Sequence, residues 1–160
     1  MENLMNKVIE ILSEDGYHPS IDERDDKLVM IKEGGMTYIQ PEKDIVTAIT
    51  FIEGEHQIFI NFYHDDDTFI RMYHYFEEFT LEEREEVLKV SNFVTNDVKH
   101  AYITEAGNCL LAICDVYLTE NIDIRNVLYY YLGALLNAPR RFYEIVENNY
   151  MLGVGTTTNG

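Results

Sequence analysis

With 29 acidic against 12 basic residues in 160, the chain carries a formal net charge of −17. Such a surface repels phosphate backbones and anionic lipid, which argues against nucleic acid and membranes as partners. Apolar residues make up 46%, enough for one domain with a core, and no run approaches the roughly 18 apolar residues that a membrane span needs.

The N-terminal MENLMNKVIEIL is amphipathic and lacks a signal peptide's apolar block, so a cytoplasmic protein is expected. Leu4, Val8, Ile9 and Leu12 recur at helical spacing over residues 2–15, and Gly16 can end that helix in a left-handed turn. From Tyr17 the period changes to two. Leu28–Lys32 and Met36–Gln40 flank Glu33-Gly34-Gly35, a hairpin signal, and Pro41 closes the second strand. Ile45–Glu53 and Gln57–Tyr63 flank Gly54-Glu55-His56, a second hairpin. His64-Asp65-Asp66-Asp67 reads as a turn before a fifth strand, Thr68–Phe76, and Ser20–Asp25 adds a weak edge strand. Short turns between adjacent strands predict an antiparallel meander.

Thr80 and Glu83 have the spacing of a capping box, which opens a second helix fading near Asn96, with Leu81, Val87, Leu88, Ser91 and Val94 as its inner stripe. Next come Asp97–Thr104, a turn at 105–108, and Cys109–Leu118. In that last strand both alternating sets are largely apolar, so it should be covered on both faces. Leu110, Cys114 and Leu118 belong under the first and last helices, whereas Leu111 and Ile113 face a side for which no helix is left. Cys109 and Cys114 point to opposite faces and read as two reduced thiols. The last helix starts near Ile122, capped by Asn121 or Asp123, with Ile124, Val127, Leu128, Tyr131, Leu132 and Leu135 on its apolar face. Pro139 predicts a kink or break before Arg140–Val146 resumes the helix. Residues 1–152 therefore form a single α+β domain, an antiparallel meander sheet packed by N-terminal, middle and C-terminal helices (α-β5-α-β2-α). Residues 153–160 are expected to be a disordered tail.

Chemistry-bearing motifs are sparse. The nucleophile elbow, the Walker phosphate loop and the dinucleotide fingerprint are all missing, so no catalytic residue and no cofactor is expected. His64, Asp65, Asp66 and Asp67 could hold a hard cation and support a metal-dependent hydrolase or cation-binding protein. Consecutive turn residues diverge, however, and Asp favours turns for local reasons. His56, His64, His74 and His100 lie in no zinc-type spacing, and a hydrogen-bonded core histidine is the expectation for His74. Tyr63, Phe69, Tyr73, Tyr75, Tyr102 and Tyr117 lie in strands, several of them on the face away from the helices. Tyrosine, with an apolar body and a polar tip, suits an interface.

DDDTFIRMYHYF at 65–76, VLKVSNFVTNDVKHAYI at 87–103 and LLAICDVYLTENI at 110–122, followed by an amphipathic helix, resemble the YbjN family of small bacterial proteins linked to sensory transduction. The resemblance implies a type III secretion chaperone-like fold. It also implies a binding or chaperone-like module, often dimeric, whose partner is another protein. Leu111, Ile113, Tyr73, Tyr75, Tyr102 and Tyr117 are then the candidate protein interface: a sheet face or edge that takes a polypeptide, or a second copy in a homodimer.

Overall fold

The computed structural model describes residues 2–24, 27–41 and 46–159; Asp25 and Ile45, expected at strand ends, fall outside them. The architecture is α+β, with three helices and a six-stranded antiparallel sheet. Helix α1 spans Glu2–Glu14 and buries Val8, Ile11 and Leu12. It ends where Gly16 turns to φ +93°, and Tyr17 N–H closes back on the Leu12 carbonyl at 2.9 Å.

Strand β1 (Ser20–Ile21) is a two-residue edge strand. After it come β2 (Leu28–Glu33), β3 (Met36–Pro41), β4 (Val46–Glu53), β5 (His56–Tyr63) and β6 (Asp66–Glu78). Helix α2 (Arg84–Asp97), β7 (Tyr102–Ala106), β8 (Cys109–Tyr117) and α3 (Ile124–Asn159) complete the chain. The main sheet runs β1-β4-β5-β6-β8-β7, and β8 lies between β6 and β7 as a covered strand should.

One expectation is overturned here. The five strands before α2 do not form one continuous meander, because β2 and β3 pair only with each other, from Leu28↔Pro41 to Glu33↔Met36. The hairpin is used as a layer. Its Leu28 and Ile39 pack with Phe59, Tyr73, Leu111 and Ile113 on the face of the sheet opposite the helices. That face carries its own apolar cluster, and leaving it in water forfeits about 1.5–3 kcal/mol for each large side chain.

The inner face carries the larger core. Leu110, Ala112, Cys114, Val116 and Leu118 of the last strand pack there with Val8 and Leu12 of α1 and with Leu128, Leu132, Leu135 and Phe142 of α3. Cys114 Sγ reaches the Tyr131 carbonyl at 3.5 Å, and burial pushes its thiol up to about 12, with Asp115 adding to the effect.

The capping box forms as read: Thr80 N–H donates to Glu83 Oε1 at 3.0 Å, and Glu83 N–H donates to Thr80 Oγ1 at 3.3 Å. It encloses a turn, so α2 proper starts at Arg84. Leu81 sits in that turn and is 86% exposed, outside the inner stripe expected for it; Ser91 and Val94 are the buried members. At the other end of α2, Thr95 Oγ1 accepts the N–H of Ile103 on the edge strand β7 at 3.0 Å. Arg84 pairs with Glu105 of the same strand.

Asp123 caps α3, with Asn126 N–H donating to its Oδ1 at 3.2 Å. No break occurs at Pro139: one helix runs through it, with Leu135, Ala138 and Phe142 buried on either side of the missing N–H. The helical backbone continues to Asn159, through the stretch expected to be a tail from Gly153. Among the described residues, no helix is long and apolar enough to cross a membrane.

Candidate functional site

The alternation in β5, β6, β7 and β8 sends one set of side chains to the face away from the helices, and that set is aromatic. Phe59 stacks on Tyr73 with ring centroids 5.1 Å apart, and Tyr75 meets both edge-on. Tyr63, Phe69 and Tyr117 form a second run at 5.2 and 5.0 Å. Tyr102 packs beside the first group. The six strand aromatics that the sequence singled out therefore share one face.

They do not share one environment. Leu111, Ile113 and Tyr73 have no exposed surface, because the β2–β3 hairpin lies over them. The open apolar face expected at Leu111 and Ile113 is thus closed within this chain, and these three residues are not a free surface. Tyr75 and Tyr102 are half-buried at the margin of the cover, and Tyr117 is 71% exposed.

Beside the hairpin, a polar cluster is built into the same face. Arg71 Nε donates to Asp115 Oδ1 at 2.6 Å, and the Tyr102 hydroxyl donates to Asp115 Oδ2 at 3.2 Å. The two charged side chains are 7% and 24% exposed. Burial works against the Arg71 charge, but the bond to Asp115 and the nearby Tyr63 outweigh it and raise its pKa. Burial, reinforced by the Asp115 charge, raises that of Tyr102. Asn61 Nδ2 and the Tyr63 hydroxyl both donate to the Leu28 carbonyl, at 2.5 and 3.5 Å, which ties the hairpin to the sheet.

Two clefts border the covered aromatics. One, of about 460 Å³, is lined by Met30, Asp66, Phe69, Arg71, Asp115 and Tyr117. The other, of about 590 Å³, is lined by Phe59, Tyr75 and Cys109 with Arg24, Glu77 and Glu78. A bulge between Tyr75 and Glu77 opens the strand there. In each cleft an arginine lies over a phenylalanine ring: Arg71 over Phe69 at 5.4 Å, and Arg24 over Phe59 at 4.3 Å.

The acidic turn takes a different shape from the one expected. Only His64 and Asp65 form the turn, since β5 runs to Tyr63 and β6 starts at Asp66. Asp66 Oδ1 accepts Thr68 N–H at 2.9 Å and the Thr68 hydroxyl at 2.5 Å, which holds its carboxyl below the usual range. His64 Nε2 instead meets Thr47 Oγ1 at 2.6 Å. Two members of the proposed cation site, Asp66 and His64, are thereby turned to separate partners. Among the described residues, no three of His, Cys, Asp and Glu are placed to hold a metal ion together.

Arg24, Arg71 and Asp115 are the site residues that sequence reasoning passed over. Phe69-x-Arg71-x-Tyr73-x-Tyr75 was a signal in plain view, since alternation puts Arg71 among the aromatics, and Asp115 is the one charge in its strand. No family model, no curated protein and no solved structure matches the chain.

Proposed function

We propose that the chain is a non-enzymatic, cytoplasmic polypeptide-binding module, YbjN-like and type III secretion chaperone-like in plan, whose aromatic sheet face receives an extended partner segment. The observation that carries the reading is the pair of aromatic-walled clefts, with Tyr117 left largely in water. Rigid aromatic walls give apolar contact at low entropic cost. The order helix, strands, helix, hairpin, helix supports the reading at the level of an α+β plan, with β2 and β3 standing outside the expected five-strand meander. Asp66, Asp115, Glu77 and Glu78 line the clefts, so a segment carrying Lys or Arg fits better than an acidic one. Binding by side chains on the face is favoured over strand addition at β7, whose Ile103 N–H is already taken by Thr95.

A peptide display screen on the purified chain tests this. Enriched sequences should be basic and aromatic, should perturb the NMR signals of Phe69, Tyr75 and Tyr117, and should bind at least about tenfold more weakly to Tyr117→Ala. Binding that leaves those signals unmoved would refute the assignment of the face. Light scattering separates the competing occupant: a concentration-dependent dimer that loses mass when peptide is added would make a second copy the natural ligand.

A further inference from the structure

We propose that His56 and His74 form a two-imidazole site for a borderline divalent transition-metal ion of the Zn²⁺, Ni²⁺ or Cu²⁺ class, open to solvent on the His56 side. His56 opens β5 directly after the Gly54-Glu55 turn, and His74 lies in the middle of β6 on the helix-facing side. Their nearest ring nitrogens, Nδ1 of His56 and Nε2 of His74, stand 3.1 Å apart. With Zn–N bonds of about 2.0–2.1 Å, two imidazole nitrogens on one ion are about 3.3 Å apart at a tetrahedral angle and about 2.9 Å apart at a right angle. The observed separation falls between these values.

The tautomer is already set for ligation. His74 Nδ1 lies 3.1 Å from the Gln57 carbonyl, which can only accept, so the ring proton sits on Nδ1 and the Nε2 lone pair is aimed at His56. A backbone carbonyl fixing the far nitrogen is the usual outer-shell support of a metal-bound histidine. His74 is 6% exposed and flanked by Phe76, so it cannot swing away, whereas His56 is exposed and can adjust. Without metal, His56 Nδ1–H donates to His74 Nε2. With the His56 ring proton on Nε2, Nδ1 of His56 and Nε2 of His74 both present lone pairs to the ion. Among the described residues no third such ligand converges, so water completes the coordination.

Thermal scans and titration calorimetry on the full untagged chain test the site. Zinc at ten times its Kd should raise Tm by about 3–6 °C. His56→Ala, at an exposed position, should abolish both the shift and the heat, whereas His64→Ala should keep them. In ¹⁵N spectra, zinc should move Nδ1 of His56 and Nε2 of His74 and leave His74 Nδ1 protonated. The proposal is overturned by an equal shift in His56→Ala, by the same shift with Mg²⁺ or Ca²⁺, or by no response to zinc at about 1 mM.

Discussion

Removing the Asp115 carboxylate strands the Arg71 guanidinium between the sheet and Phe69, with its charge buried and its acceptor gone. Breaking one side of a buried pair costs about 3–5 kcal/mol, and the partial exposure of Asp115 puts Asp115→Ala at about 3 kcal/mol in urea unfolding. The double variant Arg71→Met/Asp115→Leu should lose clearly less than the single one. A single variant within about 0.5 kcal/mol of the parent would mean that water already solvates the pair. His74 supplies a second test at this scale. Burial first, and the neighbouring His56 as well, hold its folded pKa below 6.5, whereas the unfolded ring titrates near that value. The unfolded state therefore binds more protons below pH 6.5, so stability is complete above that pH and falls as the solution is acidified through it. His74→Gln should flatten this part of the stability profile, and an unchanged slope would assign it to other groups. Face assignment of the aromatics was legible in the sequence, because a period of two is a local property. The pairs Arg71–Asp115 and His56–His74 were not: they join residues 44 and 18 positions apart, and only strand register brings them together.

At the scale of elements, the β2–β3 hairpin carries the most specific expectation. Its two strands could be read from Gly34-Gly35 and the flanking alternation, but the turn is the two residues Gly34-Gly35 alone, so Glu33, expected in the turn, instead pairs with Met36. The hairpin's destination could not be read, since the same pattern suits a strand added to the sheet or a ribbon laid over it. The missing cover for Leu111 and Ile113 and the misplacement of the hairpin in the meander have one answer: the ribbon lies over those residues. Leu28 is the anchor, buried against the aromatic layer with its carbonyl held by Asn61 and Tyr63. Leu28→Asp should unseat the ribbon while the helices and the main sheet persist. The expected record is a rise in hydrophobic dye binding with far-UV circular dichroism nearly unchanged. Global unfolding in step with dye binding would instead make the ribbon part of the cooperative core. At Pro139 the local rule allowed a kink or a break, and the helix runs through without a break, with buried residues on both sides.

For the whole molecule, a charge of −17 is the dominant long-range term. Like charges spread over a small domain repel one another, and the compact state concentrates them. Raising sodium chloride from about 20 mM to about 300 mM shortens the screening length from roughly 20 Å to roughly 6 Å and should raise Tm by a few degrees. A fall would mean that ion pairs such as Arg125 with Glu14 and Asp15 contribute more than the repulsion costs. The same charge makes capture of a basic segment faster at low salt, so the association rate should fall as salt rises while stability improves.

One hydroxyl, that of Thr95, has a consequence for how copies of this protein behave in a crowded solution. An unsatisfied N–H on the rim of a sheet is a growth point at which one molecule can template onto the next and start a fibril. Here the rim donor of Ile103 is spent on a side chain from α2 before any neighbour can reach it. Thr95→Val keeps the shape and deletes only the acceptor. It should shorten the lag of thioflavin-positive aggregation at high concentration with little change in unfolding midpoint, and an unaltered lag would place the barrier to assembly elsewhere.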